Sequence, residues 1–255
     1  MLGLFRKQRF LKEEDEEWHL ATWKFLLDKF GGIARLKASP LITATREFFP
    51  PTEATGHERA AHIFACIKKL AGMENWPCTL LAQPERVRTQ VSEFVFLKIL
   101  DKDLPLGTFS AQNGEVTITY DPASLDQPAV LVSTLAHELA HYLLAGVRDE
   151  VPGGEEMHEF TTDLATVFLG FGLFGANRAF EFSQHGDALG QGWKYSTAGY
   201  LRERDWVFAI AVFLALCGEP AAALKKLLKP HLYADLRAAE KYLAKNPDVL
   251  AELRG

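Results

Sequence analysis

The pentapeptide His137-Glu138-Leu139-Ala140-His141 constrains this chain more than any other feature. In a helix, residues four apart lie one above the other, so two imidazoles are presented to one point across a gap of metal size. Glu138, one position round from His137, reaches a water at that point without becoming a third ligand on the same turn. Shuffling a chain of this composition yields such a pentapeptide in roughly 2 of 100 cases, so its surroundings carry weight. Asp126-Gln127-Pro128 supplies a cap residue and an early-turn proline, and Val130, Val132, Leu135, Leu139 and Leu143 recur at helical spacing until Gly146. The bland alternative is a helix whose two histidines and glutamate face solvent. Against it, Glu138 is the one charge in an otherwise apolar run, and a buried carboxylate is costly unless something cationic offsets it.

With 255 residues, 48% hydrophobic and 24% charged, the chain suits one large or two small globular domains. A net charge of -5 and a pI near 5.9 argue against a nucleic acid or an anionic membrane as main partner, since those select concentrated Lys and Arg. Residues 1–10 hold no secretory-type apolar run, and residues 206–217, the most apolar stretch by eye, fall short of the ~20 needed to span a bilayer. The expectation is a soluble cytoplasmic protein. Cys66, Cys78 and Cys217 are odd in number and far apart, which fits buried small apolar residues better than disulfides or a thiolate metal site.

Along the chain, residues 12–30 read as a helix with Leu11, Trp18, Phe25 and Leu26 on one side and Gly31-Gly32 as its stop. Residues 38–52, with Phe48-Phe49-Pro50-Pro51, read as a loop. A second helix is expected over 53–70, with Ala60, Ile63, Phe64, Ile67 and Leu70 as its stripe. Residues 78–82 and 94–97 read as strands, and residues 107–120, turning at Asn113-Gly114, spell a hairpin in which Val116, Ile118 and Tyr120 alternate with polar neighbours. Three helices close the chain, over 204–217, 220–228 and 232–244, the first apolar all round and therefore central. Residues 1–75 are expected to form a helical extension packed on a domain of residues 76–255.

After Pro152-Gly153-Gly154 a further helix opens at Glu155-Glu156 and continues to Leu169. Glu159 and Asp163 are four apart on it and share a face, as the two histidines do on theirs. Two helices packed with those faces opposed would bring a carboxylate to the metal. The pairing of His137-Glu138-x-x-His141 with Glu159-x-x-x-Asp163 resembles the zincin metallopeptidases, in particular their glutamate-zincin subset. Metzincins do not fit, because Leu144 and Val147 stand where that group needs Gly and His.

The resemblance covers residues 77–175 and implies an α+β, zincin-like fold: a small mixed or antiparallel sheet with an active-site helix pair, flanked by helical N- and C-terminal segments. It implies Zn2+ held by His137, His141 and Glu159, with Asp163 accepting a hydrogen bond from His137 and so fixing that ring. It also implies a peptide or protein substrate lying antiparallel along the hairpin, and hydrolysis by a metal-bound water that Glu138 deprotonates. A donor to the oxyanion is needed besides the metal. Tyr200 is the choice, with Tyr195 and His185 as alternatives in the same polar, glycine-rich stretch. The other class of reading is a metal-binding regulatory or protein-interaction module of the same fold that lacks efficient proteolysis.

Overall fold

The computed structural model describes residues 9–84, 105–112, 114–185 and 201–254, with backbone only over 180–185. In chain order its elements are helices α1 (Glu13–Lys29), α2 (Gly32–Ala38) and α3 (Gly56–Leu70), and strands β1 (Thr79–Ala82), β2 (Gly107–Gln112) and β3 (Glu115–Tyr120). There follow helices α4 (Pro128–Leu144), α5 (His158–Phe168), α6 (Gly172–His185), α7 (Glu203–Cys217), α8 (Pro230–Lys245) and α9 (Ala251–Arg254). The protein is thus α+β and mostly helical, with one small mixed sheet. Two compact units divide it, residues 45–142 and residues 1–44 with 143–255, along other lines than a boundary near residue 75.

In the unit of residues 45–142, β3 is central: it pairs parallel with β1 and antiparallel with β2. The register sets Gly107 opposite Tyr120, Phe109 opposite Ile118 and Gln112 opposite Glu115, and just before Glu115 Gly114 takes a positive φ of 81°. Facing pairs of an antiparallel ladder project to one side. Gly107, Phe109, Ile118 and Tyr120 therefore share a face, the one that buries Ile118 and Tyr120. Helix α3 buries Ala60, Ile63, Phe64 and Ile67 as its periodicity requires, while Leu70 is half-buried. It starts three residues later than expected, because Thr55 is extended and Gly56 takes a positive φ of 54° at the helix start. The strand expected over 94–97 lies outside the described residues.

In the other unit α7 is the core helix: residues 205–214 and Leu216 are all buried. Burying each large apolar side chain there contributes roughly 1.5–3 kcal/mol. Helix α8 lays Leu232, Leu236, Ala239 and Leu243 on α7. Helix α6 crosses α7 at Gly175, where a Cβ would meet the Trp206 ring at 2.2 Å. The segment expected as a helix over 220–228 forms only a 3-10 turn at Ala221–Leu224.

Helix α1 departs from its apolar pattern. It buries Glu16, His19 and Thr22 beside Trp23, Leu26 and Leu27, and leaves Trp18 and Phe25 only half-buried. The reason is ionic. Arg9 donates to Glu16 at 2.6 Å, Arg202 forks onto Asp205 at 2.6 and 3.2 Å and onto Asp15 at 2.7 Å, and the His19 Nε2 lies 3.5 Å from Asp205 Oδ1. Hydrophobic spacing alone does not reveal such pairing. Gly31, at φ 94°, ends α1 as expected, and α2 follows at once, ahead of the loop expected from residue 38. The three cysteines are free thiols, half-buried rather than fully buried, and burial raises each of them, Cys217 to about 11.

Among the described residues one helical stretch, Pro128–Glu150, is long and apolar enough to cross a membrane by length and composition, and 61% of its apolar window is buried inside the structure. It is longer than the 206–217 run that stands out in the sequence. It also carries the histidine pair.

Candidate metal centre

Helix α4 starts at Pro128, whose ring presets a helical φ and whose missing N–H would have no intrahelical partner there. Every residue from Leu131 to Ala140 is buried. Periodicity therefore places His137 (9% exposed) and Glu138 (6%) inside the protein, not on a wet face. His141 sits in the last turn, half-buried. The two Nε2 atoms are 3.1 Å apart and the rings nearly perpendicular, at 85°.

That separation is informative. Two nitrogens bound to one zinc at about 2.0–2.1 Å and tetrahedral angles stand ~3.3 Å apart. Nitrogens this close, each with a lone pair in its neutral form, need a shared proton or a shared cation between them. The pair as folded has close to the bite of a tetrahedral ion.

Glu159, the carboxylate that the resemblance implies as third ligand, stands in the first turn of α5, in the other compact unit, with about half of its side chain open to solvent.

The other acids near the start of α5 are set apart by their partners. Glu155 accepts from the Arg148 Nε at 3.1 Å, and the Arg148 bond holds its carboxyl below the usual range. Glu156 is exposed. Asp163, one turn beyond Glu159, is 2% exposed, and its Oδ2 accepts the Leu201 backbone N–H at 2.9 Å. Of the oxyanion-donor candidates, Tyr195 and Tyr200 lie outside the described residues, as does the side chain of His185.

Strand β2 supplies contacts that the sequence reading passed over. Gly107 runs against the helix, with the position of its absent Cβ 2.6 Å from Thr134 Cγ2 and 3.0 Å from Glu138 Cγ. Two residues on, Phe109 lies near-parallel to the His141 ring, at 15° and 6.3 Å between centroids. The sequence does hold one signal for this, since a glycine inside a strand pattern often marks close backbone approach. Phe109 had no such marker.

No protein-family profile matches this chain, and no curated protein and no solved structure matches it either.

Proposed function

We propose that the protein is a zinc-dependent peptidase in which His137, His141 and Glu159 hold the ion and Glu138 is the general base. The observation that carries this reading is the histidine pair at 3.1 Å on one helix, with a buried glutamate beside the first of them in the sequence. When bound, the ion would supply Lewis acidity toward water and the scissile carbonyl. Glu138 would take a proton from the attacking water and deliver it to the leaving amine, serving first as base and then as acid. Asp163 is proposed to orient His137, and Tyr200 to donate to the oxyanion.

The outer edge of β2 has no ladder partner among the described residues, so an extended peptide could add to it beside α4, its backbone satisfied by strand pairing. Peptide and protein chains are therefore the proposed substrates. The deciding experiment is to strip the purified protein with a chelator, restore one equivalent of Zn2+, and screen a mixed peptide library for cleavage, with Glu138→Gln alongside. Zinc-dependent cleavage absent from Glu138→Gln supports the peptidase. Stoichiometric zinc binding without cleavage would leave a metal-binding module of regulatory or interaction type.

A further inference from the structure

His141 is the more exposed of the pair: His137 lies a full turn further inside α4 and is nearly enclosed, whereas His141 is half-buried. The helical stretch runs on past it to Glu150, so its backbone is held and its ring is what neighbouring side chains orient.

We infer that Phe109 is a positioning residue that clamps the His141 imidazole in its metal-binding orientation. The clamp is built from three layers of aromatic contact. Phe109 lies near-parallel to and offset from His141, at 15° with 6.3 Å between centroids, and meets its other neighbour Tyr142 at 29° and 5.8 Å. Tyr142 is fixed in turn: its hydroxyl donates to the Pro77 carbonyl at 3.1 Å, and Trp76 meets its ring edge-on at 4.9 Å. The ladder thus ties the last turn of α4 to the chain just before β1. Strand geometry explains why Phe109 serves, because residues 107 and 109 project to the same face and meet Glu138 and His141 in turn.

An apolar side chain of similar bulk would fill the same space. Only a flat ring opposes rotation of the imidazole, and aromatic pairs prefer the offset-parallel arrangement found here. The inference rests on the metal-site reading, so its test separates the two. Wild type, Phe109→Leu, Phe109→Tyr, His141→Ala and Ile67→Ala are titrated with Co2+ in competition with a chromogenic chelator, and the visible ligand-field bands and the Tm are recorded. Ile67, fully buried in α3, provides a destabilised control outside the aromatic ladder.

Phe109→Leu should lower Co2+ affinity roughly threefold to tenfold, the range of a lost aromatic pair, and shift the bands. Phe109→Tyr should restore both, and Ile67→Ala should lower Tm while leaving the bands in place. Unchanged affinity and bands in Phe109→Leu, with His141→Ala binding no Co2+, would overturn the clamp and leave the metal site standing. Wild-type Co2+ binding in His141→Ala would overturn both.

Discussion

The Cβ that Gly107 lacks would stand 3.0 Å from Glu138 Cγ, 2.6 Å from Thr134 Cγ2 and 2.9 Å from the Thr119 carbonyl oxygen. Two of those neighbours are on α4 and the third is across the hairpin, so a methyl group there has nowhere to go. Strand and helix approach this closely because residue 107 has no side chain. Gly107→Ala should push Glu138 aside, costing about 1–3 kcal/mol of stability, and displace the base by a fraction of an ångström. Peptide turnover should fall roughly 100-fold, the order expected for misplaced catalytic groups. Zinc content should stay near one equivalent. Metal analysis beside kcat tests this, and full activity in the variant would contradict the role given to Glu138.

Glu138→Gln keeps the side-chain volume and removes the base. Metal content should be unchanged while kcat drops by about 10²–10⁴, the usual contribution of positioned acid–base groups. Retained turnover in a variant that still binds zinc would remove Glu138 from the chemistry.

Glu159 and Glu155 lie four residues apart, and Glu155 is engaged by Arg148. Glu159→Gln should weaken zinc binding by more than the roughly 10–100-fold typical of outer-shell changes. Glu155→Gln should leave it unaltered. Competition titration of both variants checks the assignment, and the reverse ranking would move the third ligand to Glu155.

Asp205 makes a prediction about pH. Burial works to raise its carboxyl, but the hydrogen bonds and charges of His19 and Arg202 outweigh this and hold it at about 2. A carboxyl whose folded value lies below its unfolded value of ~3.9 stabilises the fold above the unfolded value. That contribution, roughly 2 kcal/mol, fades as pH falls from about 4 through about 2. Asp205→Asn should be less stable at neutral pH by a similar amount and should lose this part of the acid dependence. Denaturant midpoints of both proteins between pH 5 and pH 2 provide the measurement, and parallel curves would show that Asp205 is not the group.

Gly175 tests the packing of α6 on α7. A Cβ there would fall within 2.2–2.6 Å of three atoms of the Trp206 ring, which is itself 4% exposed and cannot swing away freely. Gly175→Ala should therefore destabilise by about 1–3 kcal/mol despite the better helix propensity of alanine. A raised Tm would mean that Trp206 repacks.

Much of this molecule is legible in one dimension because short-range periodicity encodes it. The helical run that carries His137 and His141, the β2–β3 hairpin with Ile118 and Tyr120 facing inward, the buried stripe of α3 and the enclosed α7 all follow from spacings of 3.6 and 2 and from the needs of proline and glycine. The 3.1 Å approach of the two imidazoles follows in the same way, since both are borne by one helix. What spacing does not carry is which polar residue meets which. Glu16 and His19 look like surface residues until Arg9, Arg202 and Asp205 arrive from distant parts of the chain. Gly107 and Phe109 look like ordinary hairpin residues until α4 is laid against them. The resemblance already favours Glu159 over Glu155, but the bond between Arg148 and Glu155 is not legible in spacing. Contacts between elements depend on how the backbone packs in three dimensions, and only the tertiary structure decides those.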